Sequence, residues 1–232
     1  MAARNNERAR AAERTRDAER TKEAILVAAE DRFARLGFDG TSLQQIGEAA
    51  GVARSTPAYF FRSKEALYDA VLARAVTRAQ KAMARAYAEG DEDRSAEDAV
   101  ESYVGAFLDF LGHDQNFVRL VQREALEDGS RVAEFFARSV DEAVAALGPA
   151  AEKAGISPQR LVLDLAAICW YPFANEHTLM PALGIKARDP AFLEEQKRHL
   201  GELVRALTRP QRKRRTRHHT PNDRATGAAA HG

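Results

Sequence analysis

Apolar residues recur three and four positions apart from about residue 21 to residue 208, the period of a buried helix face. The first such run (Ile25, Ala28, Ala29, Phe33) ends at Gly37, which suits a left-handed helix end. Thr41 is placed to cap a second helix, with Gln44 three residues on as in a capping box. Leu43, Ile46, Ala49 and Ala50 share one face of that helix, Gly51 supplies a turn, and Val52 can plug the core behind it. A third helix falls within residues 53–61. Pro57 is cheap only in a first turn, which predicts a tight opening over Arg54 to Pro57. Ser63 caps a fourth helix, with Glu65 and Asp69 in or near its first turns. Two short helices joined by a tight turn are the outline of a helix-turn-helix.

The rest of the chain also reads as helix. One long helix is expected from Glu65 to about Glu89, broken by Gly90 to Asp93. Ser95 caps the next, whose stripe is Val100, Tyr103, Val104, Phe107, Leu108 and Leu111, ending at Gly112. Further helices are expected over Asn116 to Leu126 and Arg131 to Leu147, the latter stopped by Gly148-Pro149 with room to resume through Lys153. Ser157-Pro158 and Asp189-Pro190 start the last two. Between Leu161 and Trp170 Asp164 is the only charge. Such a helix expects burial on every side, by a covering layer of the same chain or by a second copy.

Residues Gly37 to Tyr68, GFDGTSLQQIGEAAGVARSTPAYFFRSKEALY, carry a specific resemblance. With the apolar first helix, Gly37, Thr41, Ile46, Ala50-Gly51-Val52, Tyr59-Phe60-Phe61 and Ser63-Lys64-Glu65 before Leu67 all fall in one register. This pattern resembles the N-terminal DNA-binding domain of the TetR/AcrR family of transcriptional regulators. The chain departs from it at Ala53, where the family has Ser or Thr, and at Pro57-Ala58, where it has a bulky pair. The resemblance implies an all-α fold: a three-helix helix-turn-helix domain followed by a larger helical domain for ligand binding and dimerisation. The implied divisions are a basic N-terminal arm at 1–20, the DNA-binding domain at 21–66, the effector and dimerisation domain at 67–208, and a basic disordered tail at 209–232. The helices within 157–208 would form a homodimer bundle. The implied function is a repressor that binds a palindromic operator in double-stranded DNA and is released by a small molecule. A ligand-independent DNA-binding or architectural protein is the alternative.

Charge narrows where DNA could be held. The net charge of the 232 residues is only +1. From Ala49 to Lys64, however, Arg54, Arg62 and Lys64 meet no acid, and RPQRKRRTRHH forms a basic block after Thr208. The candidate DNA-binding residues are Thr41, Arg54, Ser55, Thr56, Pro57, Tyr59, Phe60 and Lys64. Arg54 has the fork that fits a guanine edge, while Thr41 and Lys64 lie near helix N-termini that suit phosphate. Phe61 is expected in the core. The candidate pocket residues are Tyr103, Phe107, Phe110, Phe117 and Trp170, with Arg123, Asn175 and His177 to orient a ligand, and the aromatics favour an apolar or aromatic effector.

Enzyme chemistry finds no purchase. There is no glycine-rich phosphate loop, nucleophile elbow or zinc spacing, so no catalytic residue, metal or cofactor is expected. The single Cys169 cannot form an internal disulfide, no long uncharged apolar stretch suggests a membrane span, and the N-terminus lacks a signal-like apolar region. A cytoplasmic protein with no membrane partner is expected.

Overall fold

The computed structural model describes residues 2–88, 95–127 and 129–208, and these form ten helices and no strand. The expected break at Gly90 to Asp93 and the basic tail at 209–232 lie outside the described residues. The helices are α1 (Ala2–Leu36), α2 (Leu43–Ala49), α3 (Thr56–Phe61), α4 (Lys64–Ala88), α5 (Ala96–His113), α6 (Gln115–Leu126), α7 (Ser130–Ala154), α8 (Pro158–Ala174), α9 (Leu179–Ala182) and α10 (Pro190–Thr208). None is long and apolar enough to cross a membrane.

Caps set most of the boundaries. Ser95 accepts from the Asp98 amide, Asp114 from Phe117 and Ser157 from Arg160, each satisfying a first-turn donor. Three expectations change. The segment before residue 21, expected as a basic arm, continues α1 without a break from Ala2. Pro149 does not stop α7. Leu147, Ala150 and Ala151 are all buried on either side of it, and that packing holds the helix through the missing hydrogen bond. The short α9 was not expected at all.

Helices α1 to α4 pack around Ile25, Phe33, Ile46, Phe61 and Leu67, all buried. The rings of Phe33, Phe38 and Tyr68 meet at 4.9–6.1 Å and tie α1 to α4. The same core continues through Val104, Phe117, Leu147, Leu165 and Leu200. Helix α4 therefore begins in the helix-turn-helix and ends inside the larger helical layer. Helix α8 does not bury all its sides within one chain: Leu163 is 61% exposed and Tyr171 is also exposed.

Candidate nucleic-acid interface and effector cavity

The turn between α2 and α3 depends on two glycines. Gly51 has φ +69°, a conformation that side chains rarely adopt. Gly47 faces α3 closely: a Cβ there would lie 3.0 Å from the Ala53 carbonyl oxygen, 3.2 Å from Arg54 Cα and 3.3 Å from Pro57 Cδ. A Cβ here would require its neighbours to give by a few tenths of an ångström. The cap of α2 is Ser42, one residue beyond the expected Thr41. Its hydroxyl accepts from the Gln45 amide while Gln45 Oε1 accepts from the Ser42 amide, so the box partner is Gln45 and not Gln44. Thr41 is instead buried, and its hydroxyl donates to the Gly37 carbonyl at 2.9 Å.

The candidate DNA residues then separate into an outer and an inner set. Arg54, Ser55 and Tyr59 are exposed along one edge, Tyr59 at 83%. Thr56 is half-buried. Phe60 is half-buried against the core, with the Tyr59 ring edge-on at 5.5 Å. Pro57 is no contact residue: it is buried in the first turn of α3, filling the space over Gly47. Thr41 is likewise turned inward. Lys64 is half-buried with its ammonium 4.1 Å from the centre of the Phe38 ring. Phe61 is in the core, as expected. Arg62 was passed over as a site residue. It is exposed at the end of α3 with φ +65°, a strained backbone for a residue with a side chain.

Arg54 is not unopposed. Glu48, one residue before the acid-free window, lies 2.5 Å from its guanidinium. The window from Ala49 onward misses this acid because the two residues meet only across the turn.

Behind this edge, arginines from the larger layer grip α1. Arg78 on α4 donates to both oxygens of Glu30 at 2.9 and 2.6 Å and to Asp114 at 2.7 Å, and Arg74 donates to Glu30 at 3.1 Å and to Glu23. Burial works against the Arg78 charge, but the hydrogen bonds it donates to Glu30 and Asp114 prevail and raise its pKa. Arg123 on α6 donates to the carbonyls of Ala34 and Arg35 at 3.0 and 2.7 Å, satisfying orphan acceptors at the end of α1. Its neighbour Glu124 is buried against Tyr68, whose phenol is pushed up by burial and then by that carboxylate.

A cavity of about 800 Å³ opens among α4, α5, α6, α7 and α8, a volume suited to a small molecule. Of the expected pocket residues, Tyr103, Phe107, Phe117 and Trp170 line it. Phe110 does not; it packs edge-on behind Phe117 at 4.9 Å. Arg123 faces α1, on the opposite side of α6. Asn175 ends α8 with its side-chain amide donating to the Tyr171 carbonyl at 3.0 Å. His177 is exposed beside Glu176 at 3.3 Å. Polar residues with these spacings look like ligand orienters in sequence, yet each is consumed by a helix end or by solvent. The lining residues not foreseen include Gln80, Ser139 and Glu142. Gln80 carried a signal, a polar residue beside the apolar positions Val76, Ala79 and Met83 of α4. Cys169 also lines the cavity, and burial pushes its thiol up to about 12, leaving it protonated and inert.

Comparison with known proteins agrees with this geometry. Residues 25–71 match the description "bacterial regulatory proteins, tetR family", and residues 97–204 match "tetracyclin repressor-like, C-terminal domain". The HTH-type transcriptional regulator RutR of Escherichia coli strain K12 is 58% identical over 50 residues, 22% of this chain and 24% of RutR. The chain thus spans about a quarter of the length of that curated relative. The HTH-type transcriptional repressor NicS of Pseudomonas putida is 27% identical over 175 residues, 71% of this chain and 81% of NicS. Among solved structures, the Streptomyces coelicolor protein SCO4942 superposes with a TM-score of 0.61 at 23% identity, over 81% of this chain and 97% of that one. The fatty acid degradation regulator FadR of Bacillus halodurans does so with a TM-score of 0.58 at 18% identity, over 77% and 93%. At those identities the likeness is one of fold alone. Taken together, the two matched segments and the fold show that this chain belongs to the TetR family of bacterial regulatory proteins.

Proposed function

We propose that this protein is a transcriptional repressor that binds a palindromic operator as a homodimer and leaves it when a small apolar or aromatic molecule enters the cavity. The observation that carries the reading is α6. Phe117 and Val121 on one side of it line the cavity, while Arg123 on the other holds the end of α1. A ligand that displaces α6 therefore pulls on the helix against which α2 and α3 are packed. In a two-fold dimer, a small shift of each α3 changes the spacing between half-sites. The exposed apolar side chains of α8, Leu163 and Tyr171, supply surface for the partner copy in the proposed interface over 157–208. NicS, matched over most of its length, is named as a repressor, which favours repression over activation.

A band shift on the promoter next to the protein's own coding sequence tests the reading. A salt-sensitive shift that depends on sequence, with two half-sites protected per dimer, is expected. Equal binding to all fragments, or none, would sink it.

A further inference from the structure

The cavity is mostly apolar, and its polar side chains are Gln80, Tyr103, Ser139 and Glu142, beside the Trp170 indole N–H and the Cys169 thiol. Two of these largely satisfy each other, because Gln80 Nε2 donates to Ser139 Oγ at 2.8 Å. What remains of that pair is the Gln80 carbonyl acceptor, its second amide N–H and the Ser139 hydroxyl proton. Glu142 follows Ser139 by three positions on α7 and so stands on the same face, at the exposed mouth of the cavity. Its charge is felt inside. The Tyr103 phenol is raised first by burial and then by Glu142.

Among the described residues that line the cavity there is no Lys, Arg or His. A carboxylate or phosphate seated here would lose its water, gain no cation, and face a like charge. A cationic head meets the opposite situation. It would have Glu142 as a partner, solvent close by, and aromatic faces that attract cations. A neutral head would find the Gln80–Ser139 pair and the Tyr103 hydroxyl.

Accepting that this cavity is the effector site, we propose that the effector is a cationic or amine-bearing amphiphile. Its apolar body lies among Phe107, Phe117 and Trp170, and its charged head sits at Glu142. Anionic amphiphiles of the same length are discriminated against.

Trp170 is the single tryptophan of the chain and lines the cavity, so its fluorescence reports occupancy directly. The full-length protein is titrated with three probes of one chain length, decyltrimethylammonium, decanol and decanoate, each below its micelle concentration. The ammonium is expected to bind about fivefold or more tighter than decanoate, the size of a partly exposed charge interaction, with decanol between them. Glu142→Gln should reduce the ammonium's advantage over decanoate, leaving the part due to desolvation and the aromatic faces. Decanoate binding as tightly as the ammonium, or a preference undiminished by Glu142→Gln, overturns the proposal. If decanol binds but no head-group preference exists, the cavity remains an effector site and only the cationic class is wrong. If none of the probes changes the fluorescence, the cavity reading itself fails and takes the proposal with it.

Discussion

Glu48 and Arg54 form an ion pair at 2.5 Å across the turn between α2 and α3. The guanidinium proposed to read a base is therefore already held by an acid on the neighbouring helix. Binding DNA means exchanging that carboxylate for a base edge or a phosphate. Both side chains are well exposed, so the exchange is cheap. Glu48→Gln is expected to tighten operator binding by up to about 1 kcal/mol, and Arg54→Ala to weaken it by about 1–3 kcal/mol. Titrated band shifts on specific and scrambled fragments separate base reading from phosphate contact: a loss confined to the specific fragment marks Arg54 as a base reader.

The closeness of Gly47 to Ala53, Arg54 and Pro57 makes a stability prediction. Two of the three atoms a Cβ would crowd are backbone, and backbone cannot swing aside. Gly47→Ala should cost about 1–3 kcal/mol through displacement of α3, although alanine is the better helix former. Thermal unfolding should show a fall of several degrees. An unchanged Tm would mean that α2 and α3 slide apart freely.

Arg123 closes α1 from the opposite side. Arg123→Ala leaves the carbonyls of Ala34 and Arg35 to water and removes charge-assisted hydrogen bonds, with an expected loss of about 1–3 kcal/mol. Hydrogen exchange should speed up in the last turn of α1. If α6 couples the cavity to the DNA-binding helices, this variant should also respond less to ligand at unchanged ligand affinity. Full retention of the response would remove α6 from the proposed mechanism.

Helix α8 gives the test of assembly. Leu163 is exposed in the single chain but belongs to the surface proposed for the partner. Leu163→Glu should shift sedimentation from dimer to monomer and abolish binding to a two-half-site operator. A wild-type protein that sediments as a monomer at micromolar concentration would contradict the interface.

Acid should loosen the link between α6 and the α8–α10 connection through Glu176. Burial alone would raise its pKa, but hydrogen bonds from Gln115 and Arg188 outweigh that and hold it below the ordinary 4.5. Its stabilising contribution is therefore complete above about pH 4.5 and lost as pH falls through the lower folded value. Glu176→Gln should be less stable than wild type at neutral pH, and the gap should narrow below that point in urea titrations at stepped pH.

The amino-acid sequence by itself determined most of the helices and several of their caps. Hydrophobic period and capping chemistry are local properties, so Ser95, Ser157-Pro158, Asp189-Pro190 and the opening turn before Pro57 were all readable. The helix-turn-helix register was readable for the same reason, since its glycine and aromatic positions lie within one short stretch, although the cap of α2 fell one residue later, at Ser42. Direction was not. Whether Thr41 and Pro57 face DNA or the core, whether Arg123 points into the cavity or at α1, and whether Glu48 reaches Arg54 depend on how separate helices pack. Spacing along the chain carries no information about that packing. The cavity shows the same division: its aromatics stood out as a composition, but Gln80, Ser139 and Glu142 became its polar features only when α4 and α7 were brought together.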